Sequence, residues 1–225
     1  MKRKILTILL FVLVSTAFYL QSQNGWSLGV KARLNISSAG GDFSDANSRL
    51  GYNAGIIADY NFSESIFFRT GLDFTSKGAK YKDAWNNIAS DGTTGYQKRY
   101  YHLNYLQLPL SLGYRIAATE NINMTVSAGA YLAYGVYARE KYTAHSWCGT
   151  PPTTPDVTIT SKGFDDSGMR AFDSGLLGGV GLEYKQYMLL IGYEMGLYNT
   201  MSGKYDGGDP SWKNRNWSFS LGYRF

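Results

Sequence analysis

The chain has 225 residues, enough for one large or two small domains. Its 22 basic and 17 acidic residues give a formal charge of +5, and a single cysteine excludes both a disulfide framework and a Cys-rich zinc site. An apolar share of 44% excludes intrinsic disorder, while the charged share of 17% falls below the roughly 25% of ordinary soluble domains.

The chain opens with Lys2, Arg3 and Lys4, an apolar run from Ile5 to Val14 broken only by Thr7, then Ser15, Thr16 and Ala17. This order of basic, apolar and small residues is that of a secretory signal, here taken as 1–22 ahead of a mature barrel domain at 23–225. The run is too short for a membrane-spanning helix, which needs about 20 residues. No cysteine follows it, which argues against a lipoprotein anchor. Without the three leading bases, 19 basic residues face 17 acidic ones, so a nucleic-acid partner has no electrostatic support.

From residue 25 the dominant pattern is alternation, which marks strands with two different environments. At 25–36, Trp26, Leu28, Val30, Ala32, Leu34 and Ile36 oppose Lys31, Arg33 and Asn35. The pattern recurs at 50–60 and 66–78, where Asp59, Arg69, Asp73 and Lys77 stand on the polar side. The segment 100–115 changes phase: apolar parity is odd through Tyr101, Leu103 and Tyr105, then even from Leu106 to Tyr114. Such a slip suggests a β-bulge, and Pro109 in the same segment cannot donate to a ladder. Alternation resumes at 122–139, 172–184, 187–199 and 214–225, the last setting Trp217, Phe219, Leu221, Tyr223 and Phe225 against Asn216, Ser218, Ser220, Gly222 and Arg224.

The connections 61–65, 116–121 and 185–186 are short, whereas 37–49, 79–99, 140–171 and 200–213 are long. Short and long connections therefore sort to opposite ends of a meander, as in outer-membrane barrels with short periplasmic turns. A soluble lipocalin-type barrel would point the apolar face inward. Tyr60, Tyr114, Tyr184 and Tyr223 instead end the apolar faces at one level, joined by Trp26 and Tyr187, as a periplasmic aromatic girdle would. The expected fold is all-β: an eight-stranded, antiparallel, up-and-down transmembrane β-barrel in the bacterial outer membrane, with no periplasmic extension.

The runs YLQLPLSLGYR (105–115), GLLGGVGLEY (175–184) and WSFSLGYRF (217–225) resemble the PorT-like outer-membrane β-barrel family of Gram-negative bacteria. LGYR occurs twice, at 112–115 and 221–224, and the likeness covers essentially the mature chain. The resemblance implies that Phe225 is a C-terminal insertion signal read by the outer-membrane insertion machinery. It implies a link to protein secretion only through the family's founding member, and it carries over no catalytic residue.

An eight-stranded interior is just wide enough for side chains to fill. Parity places Lys31, Arg33, Arg69, Lys77, Arg115, Arg139 and Arg224 inside with Asp59, Asp73, Asp173, Glu183 and Glu194. Buried charges persist only when paired, so these residues are expected to plug the lumen.

Chemical candidates are sparse. His102, given inward parity, and His145, in the longest connection, lack any G-x-S-x-G or equivalent spacing around a nucleophile. Cys148 stands alone beside PPTTP at 151–155 and reads as an incidental reduced thiol. GGDPSW (207–212) and SAGGDFSDAN (38–47) lack calcium-loop spacing, and GLLGGVG lies within a strand rather than before a helix. No metal, cofactor or catalytic residue is expected.

Tyr81, Trp85, Trp147, Tyr205 and Trp212 read as exposed loop aromatics, a candidate contact surface. Ala54, Ala58, Ala128 and Ala130 on the lipid side would allow close approach of a partner barrel. The expected role is a non-enzymatic binding or accessory subunit of an outer-membrane assembly, its partners being lipid, the insertion machinery and another outer-membrane protein. A narrow porin-like channel and a lipid-modifying enzyme are the alternatives.

Overall fold

The computed structural model describes residues 25–86, 93–148, 156–202 and 210–225, so the expected signal segment lies outside the described residues. Among the described residues the strands are β1 (Trp26–Gly41), β2 (Arg49–Asn61), β3 (Ile66–Lys77), β4 (Lys80–Asn86), β5 (Thr93–Ala117), β6 (Ile122–Cys148), β7 (Val157–Lys162), β8 (Phe172–Tyr184), β9 (Tyr187–Gly196) and β10 (Trp212–Arg224). Eight of them close a ring in the order β1-β2-β3-β5-β6-β8-β9-β10, each antiparallel to its neighbours. β10 returns to β1 from Gly29↔Arg224 to Gly41↔Trp212. The closed ring leaves no edge at membrane depth, which hydrocarbon requires because no water is present to satisfy a free N–H or C=O.

Local chemistry explains the ends of the staves. The β8–β9 hairpin turns through two residues, with Lys185 at φ 52°, the positive φ that tight two-residue hairpins demand. Ser63 and Thr119 hydroxyls each accept from the backbone N–H three residues on, at Ile66 and Ile122, and so close the other short turns.

The outer wall is apolar. Leu34, Leu72, Leu112, Val126, Val180 and Leu221 are all exposed there. On β6 the apolar wall runs from Ile122 to Tyr134; at about 3.3 Å per residue and a tilt of about 45° it is roughly 28 Å tall, matching a bilayer core of about 30 Å. Trp26 and Tyr60 touch at 5.1 Å, and Tyr187 and Tyr223 at 5.4 Å, at the short-turn end. Tyr114 and Tyr184 stand exposed at the same end, so all six girdle residues share one rim.

Two features depart from the sequence reading. First, the connections 79–99 and 140–171 carry strand, over 80–86 and 93–99 in the one and 140–148 and 157–162 in the other. β5 and β6 run for 25 and 27 residues, well past the 9–11 needed to cross a membrane. With β4 and β7 on their flanks they form a four-stranded ledge, β4-β5-β6-β7, above the long-loop rim. Beyond the lipid both faces of a strand meet water, so the apolar alternation that reveals a stave is absent there.

Second, the odd face of β5 points inward throughout. Tyr101, Leu103 and Tyr105 are buried, as are Gln107 and Ser111 below them. The register does shift between Asn104 and Tyr105, but the extra residue is Val136 on β6. That bulge moves the inward parity of β6 from Tyr131 and Ala133 to Ala138 and Glu140, and Arg139 therefore faces out rather than into the lumen.

The orientation yields a quantitative expectation. Val180 sits midway up the wall and is 56% exposed. Val180→Arg is expected to cost about 2–4 kcal/mol of folding free energy in phospholipid vesicles, read by urea titration. An unchanged midpoint would mean that this face does not meet hydrocarbon.

Candidate functional site

The lumen holds two layers of charge and an aromatic lid. The lower layer lies near the short-turn rim and draws on β2, β3, β5, β8 and β10. Arg69 Nε and Nη2 donate to Asp59 Oδ1 and Oδ2 at 2.7 and 2.8 Å, a bidentate pair, and Nη2 also reaches Glu183 Oε1 at 3.2 Å. Arg224 Nη2 donates to both Asp59 and Glu183 at 2.8 Å. Arg115 Nε donates to Glu183 Oε2 at 3.0 Å, so two carboxylates hold three guanidiniums. The Phe67 ring lies between two of these cations, 4.8 Å from Arg69 and 4.9 Å from Arg115. Gly113 leaves room for it, since any side chain there would run into that ring.

The upper layer ties β1 and β3 to β5, β8, β9 and β10. Asp73 accepts from Lys31 at 3.0 Å and from Arg33, whose Nη1 also reaches Glu194 Oε1 at 3.3 Å. Lys77, fully buried, lies 3.1 Å from Glu194 and 3.5 Å from Asp173, with its ammonium 3.9 Å from the Tyr131 ring centroid. Gln107, Asn216 and Asn214 donate to the same carboxylates at 2.9, 3.3 and 3.0 Å. Between the layers a small cavity of about 80 Å³ is lined by hydroxyls such as those of Ser111, Thr125 and Ser218 and by apolar residues such as Pro109 and Leu177.

Above the charges the lumen turns apolar. Tyr101, Leu103, Tyr105, Tyr131, Phe164 and Trp212 pack as one buried cluster, with Tyr101 and Trp212 at 4.9 Å and Tyr105 and Phe164 at 5.4 Å. Trp212, read from the sequence as an exposed loop aromatic, is instead the first residue of β10 and the largest side chain of this lid. Its indole N–H donates to Asn214 Oδ1 at 3.1 Å. The alternation does not reveal the lid, because equating apolar character with the lipid side fails where a barrel fills its own interior.

The sequence places Lys31, Arg33, Asp59, Arg69, Asp73, Arg115, Glu183, Glu194 and Arg224 on the luminal face, and all nine side chains lie there in the two layers. Phe225 closes the ring at its end, its N–H donating to Leu28 O at 2.8 Å. The two histidines take other positions. His102 faces outward, with Nε2 3.1 Å from Ser76 Oγ and 3.0 Å from Asn104 Oδ1. His145 belongs to β6 rather than a loop; its Nδ1 donates to Asp156 at 2.8 Å and its ring stacks on Tyr96 at 5.9 Å. Tyr96 also donates to Asp156 at 2.8 Å, and this bond, with His145, holds that carboxyl below the usual range. The trio clamps β5, β6 and the start of β7 together. Tyr81 lies on the ledge against Phe43 at 6.0 Å. The side chains of Trp85, Trp147 and Cys148, and all of Tyr205, lie outside the described residues.

A closed, lipid-facing ring with a polar, filled interior is an integral outer-membrane β-barrel. Residues 20–202 match the family model described as the outer membrane protein beta-barrel domain, and the chain belongs to that family. No curated protein sequence matches the chain significantly. Among solved structures it is similar to Neisserial surface protein A (16% identity, 90% of this chain and 98% of that one, TM-score 0.38). It is also similar to Ail, the attachment invasion locus protein of Yersinia pestis (15%, 90% and 100%, TM-score 0.32). OprG of Pseudomonas aeruginosa is a third (14%, 90% and 97%, TM-score 0.37).

Removing one carboxylate tests the lower layer. Glu183→Ala leaves Arg69 and Arg224 on Asp59 alone and takes from Arg115 its carboxylate, and it is expected to cost about 3–5 kcal/mol in urea unfolding from lipid vesicles, the penalty of an uncompensated buried charge. A loss below about 1 kcal/mol would mean that these groups are as well solvated as a surface pair.

Proposed function

We propose that the protein is a non-enzymatic outer-membrane barrel that acts through its outer ledge as a binding or accessory subunit of a larger outer-membrane assembly. The observation that carries this reading is the filled lumen. Eleven ionic side chains, the amides of Gln107, Asn214 and Asn216 and an aromatic lid lie along the axis, which favours binding at the outer surface over transport through the ring.

The ledge offers the contact surface that the lumen does not. β7 ends the sheet with one edge unpaired among the described residues, and Val157 and Ile159 stand exposed on it beyond the lipid. An unpaired edge with apolar side chains is a template for strand addition. On the wall, Ala54, Ala128 and Ala130 keep the lipid side low enough for a second barrel to approach. The resemblance to PorT-like barrels carried by 105–115, 175–184 and 217–225 favours an assembly partner over a soluble ligand.

Two measurements test the reading together. Planar-bilayer recording of the wild-type protein is expected to give no stable open-channel current, and large steady currents would favour the porin-like alternative. Affinity capture in mild detergent is expected to return an outer-membrane protein that is lost from the Val157→Asn/Ile159→Asn variant. Capture that is indifferent to those substitutions would remove the ledge from the account.

A further inference from the structure

The two luminal layers do not balance. Among the described residues they hold six cations, Lys31, Arg33, Arg69, Lys77, Arg115 and Arg224, against five carboxylates, Asp59, Asp73, Asp173, Glu183 and Glu194. The upper layer is matched three to three, with Lys31, Arg33 and Lys77 on Asp73, Asp173 and Glu194. The surplus therefore lies in the lower layer, where Arg69, Arg115 and Arg224 share Asp59 and Glu183. Arg115 and Arg224 line the short-turn mouth, where bulk water and its ions screen them. Arg69 instead lines the cavity of about 80 Å³ between the layers, together with Lys31 and Arg33.

Around that cavity three cations meet one carboxylate, Glu194, which already accepts from Arg33, Lys77, Gln107 and Asn216. Lys31 and Arg33 both lean on a single oxygen, Asp73 Oδ2. Arg33 commits Nη1 to Glu194 and Nη2 to Asp73, and its buried Nε has no hydrogen-bond partner among the described residues. Like charges around one space repel, and an anion between them turns that repulsion into attraction. The same anion would accept from the orphaned N–H, whose burial is otherwise uncompensated.

The opposite wall is built of short residues. Ser127 on β6 and Gly192 on β9 face the axis yet are only half-buried, because the cavity lies beside them. Thr125 and Ser127 present hydroxyls to it, and Pro109 and Leu177 add apolar surface. One water needs roughly 10–15 Å³ of such space, so the cavity has room for an ion with several waters.

The donors decide which kind of anion fits. Arg69 has committed its fork to Asp59, Nε to Oδ1 and Nη2 to Oδ2. Arg33 has one N–H left. An ammonium, a lone N–H and hydroxyls remain, all single-point donors. Phosphate and carboxylate are held best by a paired fork, whereas a spherical halide accepts single donors from any direction.

We propose that the cavity between the layers binds a halide, chloride in the native setting, among Lys31, Arg33 and the hydroxyls of Thr125 and Ser127. The ion neutralises the surplus positive charge and ties the β1 side of the ring to β6. The site is internal, so it stands or falls apart from the ledge and its partner.

The test unfolds the barrel from lipid vesicles with urea in sodium chloride and in sodium gluconate at equal ionic strength, gluconate being too large for the cavity. The folded-to-unfolded ratio is expected to rise with chloride, by about 11-fold where chloride is about ten times its Kd. Lys31→Met removes one cation, and Ser127→Val fills the space while leaving every charge in place. Each is expected to lose most of the chloride-specific gain, and heat-dependent mobility on gels confirms that each is folded. Crystals grown with bromide in place of chloride are expected to show an anomalous peak beside Lys31 and Arg33. Equal wild-type stability in the two salts would overturn the site. So would an undiminished gain in Ser127→Val, or crystals without bromide at that position.

Discussion

Inside a bilayer, a backbone N–H or C=O has only another strand to bond to, and every other property of this protein follows from satisfying that demand with eight strands. The ring closes between β10 and β1, and its circumference fixes the interior at a width that side chains alone can fill. A narrow interior cannot hold hydrated charges apart. The five strands that bring Asp59, Arg69, Arg115, Glu183 and Arg224 inward therefore bring them into contact. Their pairing is a consequence of closure, and it ties non-adjacent strands together across the axis.

Much of this was legible in the chain because lipid enforces a strict alternation. Wherever both environments act, as from Trp26 to Ile36 or Trp217 to Phe225, the polar and apolar faces read directly, and the charges destined for the lumen read with them. Legibility failed where one of the two environments changed. On the ledge, water on both sides erases the pattern, so β4, β7 and the upper parts of β5 and β6 look like loops in the sequence. At the outer end of the lumen the interior becomes apolar, so Tyr101, Leu103 and Tyr105 imitate a change of face while the backbone keeps its own. The bulge at Val136 acts on the partner strand, where it turns Arg139 outward. A residue in β6 thus changed sides because of an insertion that the alternation in β5 only appeared to report.

Those same departures shape the outer end of the barrel. A fully regular barrel would be a wall with nothing to present. The continuation of β5 and β6 past the rim builds a sheet in the aqueous phase, clamped by Tyr96, His145 and Asp156, and leaves an unpaired edge among the described residues at β7. The outward turn of Arg139 puts it on one face with His102 and Lys162. Trp212, Tyr105 and Tyr131 pack together as an apolar lid inside the outer end of the ring.

The orientation of the two faces is the claim on which this account stands, and two tryptophans on β10 report it directly. Trp217 is half exposed on the outer wall, and Trp212, five residues earlier, is wholly buried in the lumen. Single-tryptophan variants retaining one or the other can be folded into vesicles whose acyl chains carry bromine, a contact quencher. The expected result is strong quenching of Trp217 and little of Trp212. Quenching of Trp212 with Trp217 unaffected would place the apolar face inside and contradict the account.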